Sequence, residues 1–149
     1  MRKIKISSAD GANAELLEHG AHLCSWQPAD GGQQLFLSTK SEFGAGAAIR
    51  GGVPIVFPQF SGMGVLPKHG FARNTQWTLL RSGQTEQGAG QAVFELRENI
   101  ARLLLWPHVF CAEYTVTLAG DTLQLDFSVT NTGDTAFQFT TALHTYFRV

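Results

Sequence analysis

The sequence has almost no excess of charge: 12 acidic residues stand against 11 basic ones in 149, for a formal charge of −1. Nucleic acid and anionic membrane surfaces, which are recognised through a basic footprint, are set aside as partners on that ground. Cysteine is scarce. Cys24 and Cys111 lie far apart with no CxxC spacing, which argues against a redox or metal pair and points to a reduced, cytoplasmic protein. Long apolar runs are missing too. No window approaches the roughly 18 uninterrupted apolar residues of a spanning helix. The basic start at Arg2, Lys3 and Lys5 runs into Ser, Asp, Asn and Glu before any signal core forms, so export is not indicated. Repeats, low-complexity tracts and linkers are absent, and helical periodicity is confined to a hint at Glu98–Leu105. One domain, residues 1–149, is expected.

What is present is period two. Phe110, Ala112, Tyr114, Val116 and Leu118 alternate with Cys111, Glu113, Thr115 and Thr117, as a strand with one buried face requires. Leu123, Leu125, Phe127 and Val129 repeat the pattern after the short link Ala119-Gly120-Asp121, which suits a hairpin. A second turn signal at Asn131–Asp134, followed by Phe137 and Phe139 alternating with Gln138 and Thr140, predicts a third strand of the same meander. Shorter candidates are Lys3–Ser7, Ala14–Leu17, His22–Trp26, Gln34–Leu37, Trp77–Arg81 and Gln91–Arg97. The fold class expected is all-β, an antiparallel sandwich or barrel. Ala136–Val149 still reads as a strand where the sequence stops, so it either pairs with an earlier segment or lacks what should follow.

Gly51–Trp77 is the exception to this order. It is too apolar for disorder and too long for a simple connection, which favours a binding loop. Pro54, Pro58 and Pro67 stiffen it, and its glycines allow turns and close backbone approach. Arg50, Lys68, His69 and Arg73 concentrate positive charge there. If they converge they suit one phosphate or carboxylate; otherwise they are solvated loop charges. Among the other histidines, His19 and His22 are three apart but lack a third metal ligand nearby, and His108 follows Trp106-Pro107 as a loop or packing residue. No metal is expected. His144, on a regular strand, would share a polar face with Gln138, Thr140 and Ala142. It could serve there as a general acid or base, or simply be hydrogen bonded.

The motifs "AIRGGVPIVFPQF", "LPKHGFARNTQW", "WPHVF" and "TALHTYFRV", in this order, resemble the aldose 1-epimerase superfamily, and most closely its hexose-6-phosphate mutarotase branch. The resemblance runs from about Gly20 onward. It implies a β-sandwich holding a sugar on an open concave face, and interconversion of the α and β anomers of an aldose 6-phosphate without a cofactor. It further implies that His144 is the general acid, that His69 contacts the sugar near its reacting end, and that Arg50 and Arg73 hold the 6-phosphate. Lys68 stands where that branch commonly has glutamine, and as a point charge it should keep or strengthen phosphate affinity.

One part of the family pattern has no match. The general base implied by the resemblance is a glutamate well beyond the ALHTYF motif, and Glu95, Glu98 and Glu113 sit in ordinary strand or turn contexts. The chain therefore reads as the N-terminal half of a mutarotase-like sandwich, incomplete at its C-terminus and poorly active by itself. An open sheet edge would then invite self-association. The rival reading from another class is a non-catalytic carbohydrate-binding module on the same kind of sandwich.

Overall fold

The computed structural model describes residues 1–44, 47 and 49–149. Three strands, β1 (Lys3–Ser7), β2 (Asn13–Leu17) and β3 (His22–Gln27), form one antiparallel sheet in chain order. β4 (Ile55–Val56) waits for a distant partner. A second antiparallel sheet is a meander of β5 (Thr78–Gln84), β6 (Gly90–Arg97), β7 (Phe110–Ala119) and β8 (Thr122–Asn131), and a short helix α1 (Ile100–Leu105) connects β6 to β7. β9 (Ala142–Leu143) returns to pair antiparallel with β4.

The alternation seen in the sequence sets the layers. Phe110, Ala112, Tyr114, Val116 and Leu118 of β7 are all buried. They meet Ala92, Phe94 and Leu96 of β6 and, from the first sheet, Ile4, Ile6, Ala14 and Leu16 in one core. Each large apolar side chain so enclosed contributes roughly 1.5–3 kcal/mol relative to exposure. β8 lies on the margin: Leu123, Leu125, Phe127 and Val129 are only partly buried against that core. It has a neighbour, β7, on one side only. The hairpin between them closes on Ala119 and Thr122, and Asp10 reaches across to accept the Gly120 amide at 2.8 Å. Asn99 caps α1 by accepting the Arg102 amide at 2.8 Å, the usual role of asparagine at a helix start.

Two expectations from the sequence fail in the structure. Phe137–Thr140 is not a strand of the meander. Both aromatic rings of that segment turn to the same side, Phe137 onto Trp106 at 4.9 Å and Phe139 onto Phe57 at 5.3 Å between centroids. Attraction to an existing aromatic cluster outweighs strand pairing there. Gln34–Leu37 forms only isolated bridges, Leu35 with Phe147 and Leu37 with Gly51. Of the two readings left open for the C-terminal segment, pairing with earlier chain is the one observed. The Tyr146 amide donates to Gly52 O, Tyr146 O accepts from the Phe36 amide, and the Arg148 amide donates to Gln34 O, all within 2.9 Å. The segment thus lies between two earlier pieces of chain, while β1 and β5, like β8, each have a strand neighbour on one side only.

Candidate active site

The loop leading to the site is fastened from below by Phe57. Its ring lies within 5.3–6.2 Å of Phe71, Trp106, Phe110, Phe127 and Phe139, so one side chain joins loop, helix end and meander. Its carbonyl accepts the amides of Phe71 at 3.1 Å and Ala72 at 3.2 Å. Gly70, at φ +70°, passes so close that a Cβ there would stand 2.3 Å from that carbonyl oxygen. Only glycine fits both the dihedral and the gap. The loop is irregular because tertiary hydrogen bonds and aromatic packing, rather than a ladder, satisfy its backbone.

This anchoring delivers His69 and His144 to one place. Their ring centroids are 6.2 Å apart. His144 follows β9, its amide donates to Pro54 O at 3.0 Å, and its ring stacks on Tyr146 at 4.7 Å with 29° between planes. The regular strand expected through Gln138, Thr140 and Ala142 does not form: β9 is two residues long, and Thr140 instead accepts the Phe60 amide through Oγ1 at 2.6 Å. His144 reaches the site because β9 pairs with β4, not through strand alternation.

His69 is held more tightly. It sits at φ +68°, its amide donates to Ser61 O at 3.0 Å, and its Nδ1 accepts the Ser61 amide at 3.0 Å. The network therefore assigns the ring proton of neutral His69 to Nε2. Partial burial, followed by the charges of Arg73, Lys68 and His144, pushes the His69 pKa below the ordinary histidine value. Neutral imidazole is thus the favoured form near pH 7. Phe60 closes one side, edge-on to His69 at 5.4 Å.

Arg73 lies in a one-turn 3-10 helix, Ala72–Asn74. Its Nη2 donates to Lys68 O at 3.2 Å, and its Nε is buried without a partner among the described residues. Lys68 is exposed beside His69. The structure thus collects Lys68, His69, Arg73 and His144. Arg50 is on the neighbouring segment, its backbone tied to Ser38 and Ser41, and no side-chain hydrogen bond joins it to the others among the described residues. The charges acting on His69 are Arg73, Lys68 and His144, none of them a carboxylate.

The remaining histidines have structural surroundings. His22 is buried with Nε2 at 2.8 Å from Gly51 O, and burial drives its pKa down to about 4. His19 is also buried and lowered by desolvation. His108 packs on Trp106 at 4.6 Å. Spacing in the sequence gave no signal for Ser61, Phe60 or Tyr146 as neighbours of the histidine pair.

The family model for aldose 1-epimerase matches residues 2–149. The chain belongs to the aldose 1-epimerase family. Among its relatives, proteins named "Putative glucose-6-phosphate 1-epimerase" come from Escherichia coli K12 and from Cenchrus ciliaris. The first is 42% identical over 134 residues, covering 87% of this chain and 43% of the relative. The second is 36% identical over 157 residues, covering 100% of this chain and 47% of the relative. The fold matches the crystal structure of a "putative mutarotase (YeaD)" from Salmonella typhimurium with TM-score 0.81 and 36% identity, over 93% of this chain and 45% of the other. This epimerase-family chain therefore spans less than half the length of these three relatives.

Proposed function

We propose that the chain carries the acid and phosphate-binding side of a hexose-6-phosphate mutarotase, which interconverts the α and β anomers of an aldohexose 6-phosphate. The observation that supports this most is the approach of His69 and His144 to 6.2 Å with Lys68 and Arg73 alongside. In this reading His144 donates a proton to the ring oxygen as the C1–O5 bond opens. A base takes the C1 hydroxyl proton, the C1–C2 bond rotates, and reclosure returns both protons and gives the other anomer. His69, neutral and protonated at Nε2, donates a hydrogen bond to a sugar oxygen near the reacting end. Arg73 offers a guanidinium to the 6-phosphate and Lys68 adds a point charge, while Arg50 is assigned to the phosphate on the motif resemblance alone. No cofactor takes part.

With no carboxylate among the charges felt by His69, the base has to come from outside the groups gathered here. Loss of a positioned general base costs on the order of 10²- to 10⁴-fold in rate, so this chain by itself is expected to be a slow catalyst. The same observation favours a second reading, a carbohydrate-binding module that holds the sugar without exchanging its anomers. Magnetisation-transfer NMR between the α and β anomeric protons of glucose 6-phosphate separates the two. Exchange that rises with protein and disappears in His144→Gln supports the mutarotase. Exchange at the spontaneous rate in the presence of saturating protein refutes it in favour of the binding module.

A further inference from the structure

We infer that Gln59 is a positioning residue for His69: its buried carboxamide holds the Ser61 peptide against the imidazole and so fixes which ring nitrogen faces a ligand. This rests on the sugar-phosphate reading of the site. Gln59 is 5% exposed, a polar side chain enclosed under the loop. Nε2 of its carboxamide donates to Ser61 O at 2.8 Å and to Leu66 O at 3.0 Å, while Oε1 accepts the Leu66 amide at 2.9 Å. Every hydrogen-bonding position it uses is spent on the loop Ser61–Leu66, which it closes like a ladder rung.

The closure matters because Ser61 is the residue that addresses His69. Ser61 O receives both the Gln59 carboxamide and the His69 amide, and the Ser61 amide points at Nδ1 of the ring. Ser61 and His69 both occupy positive φ, +52° and +68°, a region that residues with side chains adopt only when surrounding structure holds them there. A hydrogen bond received at Nδ1 disfavours protonation at that atom. Without Gln59 the Ser61 peptide loses its buried donor, the left-handed turn relaxes, and Nδ1 is released. His69 then samples both tautomers and protonates more readily, although Arg73, Lys68 and His144 still face it. Glutamate in place of Gln59 keeps the acceptor for Leu66 but cannot donate to both carbonyls, having no donor when ionised and one when protonated, so it is not a full rescue.

Gly64 offers an independent way to disturb the same contact. A Cβ there would stand 2.5 Å from Gln59 Oε1, so Gly64→Ala must displace either the carboxamide or the loop it clasps.

The test is ring-nitrogen NMR of His69 in the wild-type chain, Gln59→Ala, Gln59→Glu and Gly64→Ala, each checked for a native amide fingerprint, with glucose 6-phosphate titrated afterwards. Expected are a wild-type Nδ1 signal of a hydrogen-bonded acceptor and a move toward mixed tautomers in all three variants. Glucose 6-phosphate affinity should fall roughly tenfold, about the worth of one net hydrogen bond. An Nδ1 signal and titration unchanged from wild type in any folded variant would overturn the inference. Should Gln59→Ala fail to fold, Gly64→Ala decides it. If the ring signals respond as expected but glucose 6-phosphate shifts nothing even in the wild type, the positioning stands and the sugar-phosphate reading fails.

Discussion

The meander β5–β8 and the loop Gly51–Trp77 solve the same problem by opposite means. In the meander the backbone is satisfied by a repeating ladder, and β7 alternates buried and partly buried residues along its length. In the loop many carbonyls find separate partners: Phe57 O takes two amides, Ser61 O takes an amide and a carboxamide, and Ala72 O takes the Trp77 indole at 3.0 Å. A ladder tolerates substitution because each rung is one of many. An individually fastened loop does not, and it is the loop that carries His69, Lys68 and Arg73.

The sharpest way to break this contrast is at Phe57. Phe57→Ala removes the ring shared by five aromatic neighbours. A cavity of this kind costs roughly 3–5 kcal/mol, which a shift in the urea midpoint at unchanged slope would register. A loss below about 1 kcal/mol would mean that the loop is not fastened there.

The next effect is electrostatic. His22 titrates at about 4 in the folded chain against 6.5 when unfolded, so between those values the unfolded chain binds the extra proton. Stability therefore rises with pH through that window and is lost as pH falls through it, by an amount of about 3 kcal/mol. His19, lowered for the same reason, adds to this slope with the same sign. In His22→Gln the slope of unfolding free energy between pH 6.5 and 4 should flatten; an unaltered slope would assign the acid sensitivity elsewhere.

Arg73→Ala probes the charge cluster. Loss of a charge-assisted contact should weaken glucose 6-phosphate binding roughly 10- to 100-fold and leave glucose nearly unaffected. Equal losses for both sugars would remove the phosphate assignment. The smallest effect belongs to the ladder: Gln124→Thr, on the outward face of β8, should stay within about 0.5 kcal/mol of wild type.

The same contrast explains what could be read from the sequence. β7, β8 and the hairpin between them were legible because period two is a local property of the chain. Phe137 and Phe139 carried the same period yet form no strand, since both rings are drawn to Trp106 and Phe57, residues that no local pattern connects to them. The loop could be recognised as irregular, and its prolines and glycines as shaping it. Its path could not be read, because the dihedrals at Ser61, His69 and Gly70 are imposed by contacts with Gln59 and Phe57. The candidate residues at the site were suggested by motif resemblance. The alternation that seemed to place His144 on a polar strand face gave the wrong route, since His144 arrives through the pairing of β9 with β4.

The central claim is that two histidines from distant parts of the chain serve one sugar-phosphate site. Its most direct test is to follow the imidazole signals of His69 and His144 together while glucose 6-phosphate, and then glucose, is added. Both rings should respond to the same saturable binding event, with glucose 6-phosphate binding more tightly. Rings that respond separately, or not at all, at concentrations that occupy the protein would contradict it.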